Sequence, residues 1–137
     1  MSDLHTFSLS IPSERSAIRA VEPFLRSTGI PDALGPRYGD LLVTVTEAVN
    51  NSIIHGNTCD AAKPVYIDVQ LTMHDVIIAV RDEGAGFDVT SVPDPRLPER
   101  LLLEGGRGVF LIRQLSDASD FMSSATGTTV FIKFFLR

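Results

Sequence analysis

The 137 residues include one cysteine and no tryptophan. The single Cys59 excludes an internal disulfide and fits a reducing compartment, so a cytoplasmic protein is expected. No apolar run approaches the roughly 20 residues that a membrane-spanning helix needs. The first residues also lack the basic-then-apolar pattern of a secretion signal. Basic charge is scarce, with 12 Lys and Arg against 17 Asp and Glu, a net charge of −5 and a sequence pI near 5.0. A protein whose main task is to wrap a phosphate backbone carries the opposite balance, which argues against direct nucleic-acid binding. The Gly-Lys-Ser/Thr ending of a Walker loop is missing, and so is the Rossmann glycine pattern. Repeats, low-complexity tracts and linkers are absent too. A 44% hydrophobic content is enough for a sizeable core, so residues 1–137 read as a single domain.

The stretch around which the rest is organised runs from Val43 to Asn57. Leu42, Val45, Val49, Ile53 and Ile54 recur at helical spacing and define an apolar face. Glu47 and Asn51 stand i,i+4, which places a carboxylate beside a carboxamide one turn apart. Gly56 follows the last apolar pair, where a left-handed cap would end the helix.

Residues 4–10 alternate as a first strand ended by Pro12. Ser13 suits the N-cap of a helix carrying Ile18, Val21, Phe24 and Leu25, with a kink or break expected at Pro23. Residues 30–35 read as a turn, and residues 36–54 as the main helix. Residues 65–73 alternate as a half-buried strand, His74-Asp75 turns the chain, and residues 76–81 return as a more central strand. Residues 82–105 lack periodicity and contain Pro93, Pro95 and Pro98; so long a loop is usually functional or mobile. A helix over 106–115 is expected to turn Val109, Phe110, Ile112 and Leu115 inward. Strands over 120–124 and 128–135, joined at Ala125-Thr126-Gly127, complete the chain. The order implies an α+β two-layer sandwich: one mixed, mostly antiparallel sheet covered on one face by helices.

Several short motifs could carry chemistry. Asp82-Glu83-Gly84-Ala85-Gly86-Phe87 closes the central strand and suits an ordinary turn. The same residues also suit an adenine pocket, because a carboxylate accepts a hydrogen bond from an exocyclic amine and repels the carbonyl of guanine. Gly84 and Gly86 would let the backbone lie against the base. Gly105-Gly106-Arg107-Gly108 opens a helix whose N–H groups and dipole could hold an anion, with Arg107 adding a cation. Gly127-Thr128 enters the last strand, where a hydroxyl is commonly structural. The Asn51 carboxamide oxygen is a suitable ligand for Mg²⁺, and Glu47 can take a proton from a hydroxyl or a water. His55 continues the same row, but a Glu-His metal site lacks a third clear ligand.

Taken together and in this order, these motifs resemble the nucleotide-binding fold of the GHKL superfamily, shared by gyrase, MutL and the histidine kinases. Residues 47–56 (EAVNNSIIHG) and 106–112 (GRGVFLI) look like the anti-sigma factor serine-protein kinases of sporulation and general-stress type. The resemblance extends from the first strand to the last. It implies ATP and Mg²⁺ as cofactors, with Glu47 as the general base and Asn51 as the Mg²⁺ ligand. Asp82 would accept from the adenine amine, in a pocket shaped by Gly84 and Gly86. Gly106, Arg107, Gly108 and Thr128 would surround the nucleotide. The implied partners are a sigma factor and a STAS-domain anti-anti-sigma protein whose serine is phosphorylated. A homodimer is expected, with Arg19 of the first helix as a partner contact. The proline-rich loop departs from the family pattern, and Arg100 and Arg107 are the candidates for a cation at the terminal phosphate. A nucleotide-dependent binding module with little turnover is the alternative. A sensor kinase would need a phospho-acceptor hairpin, and a gyrase-like ATPase a further domain, for which this sequence has no room.

Overall fold

The computed structural model describes residues 4–84 and 106–136. Strand β1 (His5–Pro12) leads into a 3-10 turn (Arg15–Ala20), then helices α1 (Val21–Arg26) and α2 (Ile30–Leu34). A short 3-10 turn (Gly35–Arg37) enters α3 (Tyr38–Asn51), which widens into a π-helical turn (Ser52–Gly56). Strands β2 (Pro64–Leu71) and β3 (Asp75–Arg81) follow, then helix α4 (Gly106–Leu115) and strands β4 (Ala118–Ser124) and β5 (Gly127–Phe135).

The expected α+β sandwich is present. The strands form one five-stranded sheet in the order β1-β2-β3-β5-β4. All of its described pairings are antiparallel, so the parallel component expected of a mixed sheet is not seen among them. Alternation sets which side is buried. Val65, Ile67 and Val69 of β2, Val76, Ile78 and Val80 of β3, and Val130, Ile132 and Phe134 of β5 all face the core. Helix α3 lies over β3 and β5 and fills that core with Leu41, Val45, Ala48 and Val49, joined by Ile53 of the π-helical turn, each fully buried. Each of the larger side chains contributes about 1.5–3 kcal/mol of burial free energy. On the opposite face the Arg81 guanidinium stacks over the Tyr66 ring at 4.1 Å. No described helix is long and apolar enough to cross a membrane.

Three local expectations are corrected. Ser13 does not cap the first helical segment. It is fully buried, and its Oγ donates to the Lys63 carbonyl at 2.5 Å, so Glu14 takes the cap position without a side-chain bond. Pro23 causes no break, because α1 begins at Val21 and a proline in the first turn replaces an N–H that has no helical partner. Residues 30–34 form helix α2 rather than a turn: Pro31 sits in its first turn, while Ile30 and Leu34, one turn apart, are both buried.

Candidate functional site

Glu47 and Asn51 lie on the last two turns of α3. Asn51 is 8% exposed, and Glu47 is half-buried. Helix α4 crosses α3 at this point, and the contact is made by Gly108. A Cβ on Gly108 would stand 3.0 Å from Glu47 Oε2, 3.0 Å from Asn51 Nδ2 and 3.2 Å from Asn51 Oδ1. The carboxylate and the carboxamide therefore converge on one small space at the N-terminal turn of α4. Helix α4 spans the residues expected, with Val109 and Ile112 buried and Phe110 and Leu115 half-buried. Its Gly106 opens the helix, and Arg107 is exposed beside Gly108.

The second half of the site is built where β3 ends. Asp82 is 3% exposed. Its Oδ1 accepts hydrogen bonds from the Gly84 N–H at 3.0 Å and the Thr128 N–H at 3.1 Å. The Asp82 N–H in turn donates to the Thr128 carbonyl at 3.0 Å. Thr128 is thus joined to Asp82 through its backbone, and its Oγ1 lies 3.0 Å from Ser123 Oγ. Burial pushes the Asp82 carboxyl above its ordinary value of 3.8, against the opposing pull of hydrogen bonds from Gly84, Thr128 and Ser52. A carboxylate offers about four acceptor positions; among the described residues Gly84, Thr128 and Ser52 use three, which leaves one for a further donor such as an exocyclic amine.

Gly56 joins the two halves. Its expected left-handed cap is not there: the left-handed residues are Thr58 (φ 51°) and Cys59 (φ 59°). The wider π turn carries the helix on to Gly56, with the Asn57 N–H donating to the Ser52 carbonyl at 2.8 Å. Gly56 is required for space rather than for φ. A Cβ there would lie 2.1 Å from Asp82 Oδ2, and a Cβ on Gly84 would lie 1.7 Å from the Gly56 carbonyl oxygen. Gly56→Ala is therefore expected to cost about 2 kcal/mol of stability by overpacking. Urea unfolding monitored by circular dichroism measures the loss, and a midpoint equal to the parent's would contradict this close approach.

Pattern reading missed the residues that hold this turn. Asn57 is fully buried. Its Nδ2 donates to Ser13 Oγ (2.9 Å), the Lys63 carbonyl (3.1 Å) and the Pro64 carbonyl (3.0 Å). Its Oδ1 accepts from the Glu83 N–H at 2.8 Å. No periodicity marks such contacts; the one available signal was an Asn directly after the helix-ending glycine. Gly86, the proline-rich segment and Arg100 lie outside the described residues. His55 is exposed, as is Arg19 in the 3-10 turn before α1. A cavity of about 400 Å³ lined by Arg81, Asp82, Met122, Gly127, Thr129 and Phe131 lies where β3 ends, so Asp82 borders it.

The donor set suits a hard cation and a nucleotide. Among the described residues, no group of three His, Cys, Asp or Glu side chains is placed to hold a metal. A cation at Asn51 would therefore complete its shell with phosphate oxygens and water, as Mg²⁺ does. The cradle between Asn51, Glu47 and the start of α4 has the polarity for this, and Asp82 has the acceptor for an amine.

Comparison with known proteins identifies the family. The family described as "Histidine kinase-like ATPase domain" matches residues 8–134. The anti-sigma F factor of Bacillus subtilis is 34% identical over 125 residues, covering 85% of this chain and 86% of that protein. The anti-sigma F factor of Oceanobacillus iheyensis is 33% identical over 96 residues, covering 68% of this chain and 66% of that protein. Among solved structures, the RsbU and RsbW domains of a Mycobacterium tuberculosis protein superpose with a TM-score of 0.70. That match covers 96% of this chain and 32% of the other at 19% identity, a likeness of fold. The blue-light activated histidine kinase of Erythrobacter litoralis gives a TM-score of 0.57 at 23% identity, over 73% of this chain and 45% of its own.

Proposed function

The chain belongs to the histidine kinase-like ATPase domain family, on its anti-sigma factor branch, and we propose that it is an ATP-dependent protein-serine kinase that also sequesters a sigma factor. Its substrate would be a serine on a STAS-domain anti-anti-sigma protein. The observation that carries this reading is the convergence of Glu47 and Asn51 against Gly108, with the Asp82 carboxylate held at the end of β3.

In this reading Asp82 accepts from the adenine amine, and Gly84 and Gly86 shape the base pocket. Asn51 supplies its carboxamide oxygen to Mg²⁺. Bound there, Mg²⁺ would neutralise charge on the phosphate oxygens. The first turn of α4, with Gly106, Arg107 and Gly108, turns its N–H groups and positive dipole end toward the phosphates. Glu47 accepts the proton of the partner's serine hydroxyl as that oxygen attacks the γ-phosphorus. The bond from the γ-phosphorus to the bridging oxygen breaks, and ADP leaves. Most of the acceleration comes from positioning and charge stabilisation, with Glu47 adding the proton transfer. Thr128 acts from behind, by fixing the Asp82 carboxylate through its N–H.

The sigma-factor assignment rests on the relatives named as anti-sigma F factors, and the STAS-domain substrate on the motif resemblance of residues 47–56 and 106–112. Arg19 remains the proposed partner contact, and a homodimer the proposed assembly, in a cytoplasmic setting. Incubating the whole chain with Mg·ATP and a STAS-domain protein encoded beside it tests the proposal, read by mass spectrometry of the partner. Phosphoserine on the partner is the expected result. Nucleotide-dependent complex formation without phosphoserine would replace the kinase by a binding module.

A further inference from the structure

Asn57 takes no part in the chemistry described above, yet its side chain is among the most fully bonded in the described structure. It is fully buried, and its partners come from three separate stretches. Ser13 follows β1, Lys63 and Pro64 enter β2, and Glu83 follows β3. The carboxamide is used at both ends. Nδ2 faces Ser13 Oγ and two carbonyl oxygens, all acceptors, so Oδ1 is left to take the Glu83 N–H at 2.8 Å. That orientation is set by chemistry, because a flipped amide would place its N–H₂ against the N–H of Glu83.

Glu83 is the residue between Asp82 and Gly84. Asp82 Oδ1 accepts from the Gly84 N–H at 3.0 Å, and Gly84 is pressed against the Gly56 carbonyl. The bond from Glu83 to Asn57 therefore ties the middle of this turn to the residue immediately after Gly56. The Asp82 carboxylate is held from one side by β5 through the Thr128 N–H, and from the other by this tie.

We propose that Asn57 is a positioning residue for base recognition: by anchoring the Glu83 N–H it fixes the direction in which the Asp82 carboxylate meets the base. This rests on reading Asp82 as the acceptor for the adenine amine. Choosing adenine over a base with a carbonyl at C6 depends on one carboxylate oxygen standing at hydrogen-bond distance and angle. If the turn is loosened, Asp82 keeps its charge but loses its aim, so the preference falls more than the affinity for triphosphate.

The experiment compares ATP with inosine triphosphate, in which a carbonyl replaces the 6-amino group, by calorimetric titration of the whole chain well below its unfolding temperature. Asn57→Ala is expected to reduce the ATP-over-ITP preference by about tenfold, the scale of one hydrogen bond to a charged group. It should also speed hydrogen exchange at the Glu83 amide. Ser13→Ala removes a different partner of the same amide without touching Glu83. It is expected to lower the unfolding midpoint and leave the preference unchanged. Should Asn57→Ala not fold, Asn57→Asp retains an acceptor for Glu83 and is expected to keep the preference despite lower stability; loss of the preference in that variant overturns the role. So does an Asn57→Ala protein that is destabilised yet prefers ATP as strongly as the parent. A parent chain that binds ATP and ITP equally overturns the adenine reading of Asp82, and this role with it.

Discussion

Glu47→Ala is expected to cut phosphoryl transfer about a thousandfold while leaving Mg·ATP binding close to the parent's. The magnitude follows from what a positioned general base contributes, about 10²–10⁴-fold. The fold should tolerate the change. Glu47 is half-buried on a helix, alanine is the best helix former, and the residues that anchor α3 in the core are Val45, Ala48 and Val49. Nucleotide binding survives because the adenine acceptor, the carboxamide and the first turn of α4 all remain. Single-turnover transfer from ATP to the partner measures the step, and calorimetry measures binding. A variant that transfers at the parental rate removes Glu47 from the chemistry. One that loses binding along with transfer makes Glu47 part of the nucleotide site instead.

Asp82→Asn is expected to reverse the base preference. The substitution keeps the acceptor oxygen that takes the Gly84 and Thr128 N–H groups, so the turn should stay in place. Where Asp82 offers an acceptor, the amide offers N–H₂. Against adenine that sets a donor facing a donor; against hypoxanthine it pairs with the carbonyl. Losing a hydrogen bond to a charged group costs about 1.5–3 kcal/mol. ATP affinity should therefore fall by about 10- to 100-fold, and ITP should bind at least as tightly as ATP. Unchanged selectivity would place the base elsewhere.

The same residue sets a pH dependence. Its carboxyl pKa is raised in the folded state, chiefly by burial. The folded protein therefore holds this proton more tightly than the unfolded chain does. Stability from Asp82 is fully present below the ordinary carboxyl value and is lost as pH rises through the raised one. Ionisation is what recognition of the amine requires, so ATP affinity changes in the opposite sense, falling as the carboxyl is protonated. Asp82→Asn should remove this component from both profiles and leave the protein no less stable at neutral pH. Urea unfolding as a function of pH checks the sign, and a component that persists in the variant would assign the titration to another group.

The parts of the fold that repeat at 2 or 3.6 residues were legible in the sequence. Both hairpins, helix α4 and the apolar face of α3 follow from alternation and helical spacing. The Glu47–Asn51 step was legible because i,i+4 on a helix is a geometric fact as well as a pattern. What pattern reading could not supply is long-range. Asn57 reaches back to Ser13 and forward to Glu83, and Gly56 is small because of Asp82; neither relation leaves a local period. A helix cap and a close approach ask for the same residue, so the sequence position of Gly56 does not distinguish the two. The 3-10 start of the first helical segment arose the same way, when Ser13 was drawn into the Asn57 network and could not serve as a cap. The sheet order β1-β2-β3-β5-β4 likewise depends on pairing between β3 and β5, which are separated in the chain by residues 82–126, α4 and β4 among them.

In the proposed mechanism Glu47, Asn51 and Asp82 belong to a single Mg·ATP site. Calorimetric titration of the whole chain with ATP, with and without Mg²⁺, tests it most directly when repeated on Asn51→Ala. ATP binding that Mg²⁺ tightens in the parent, and that Mg²⁺ no longer affects in Asn51→Ala, is the expected result. A chain that binds no adenine nucleotide, or whose Mg²⁺ dependence survives the loss of Asn51, would contradict it.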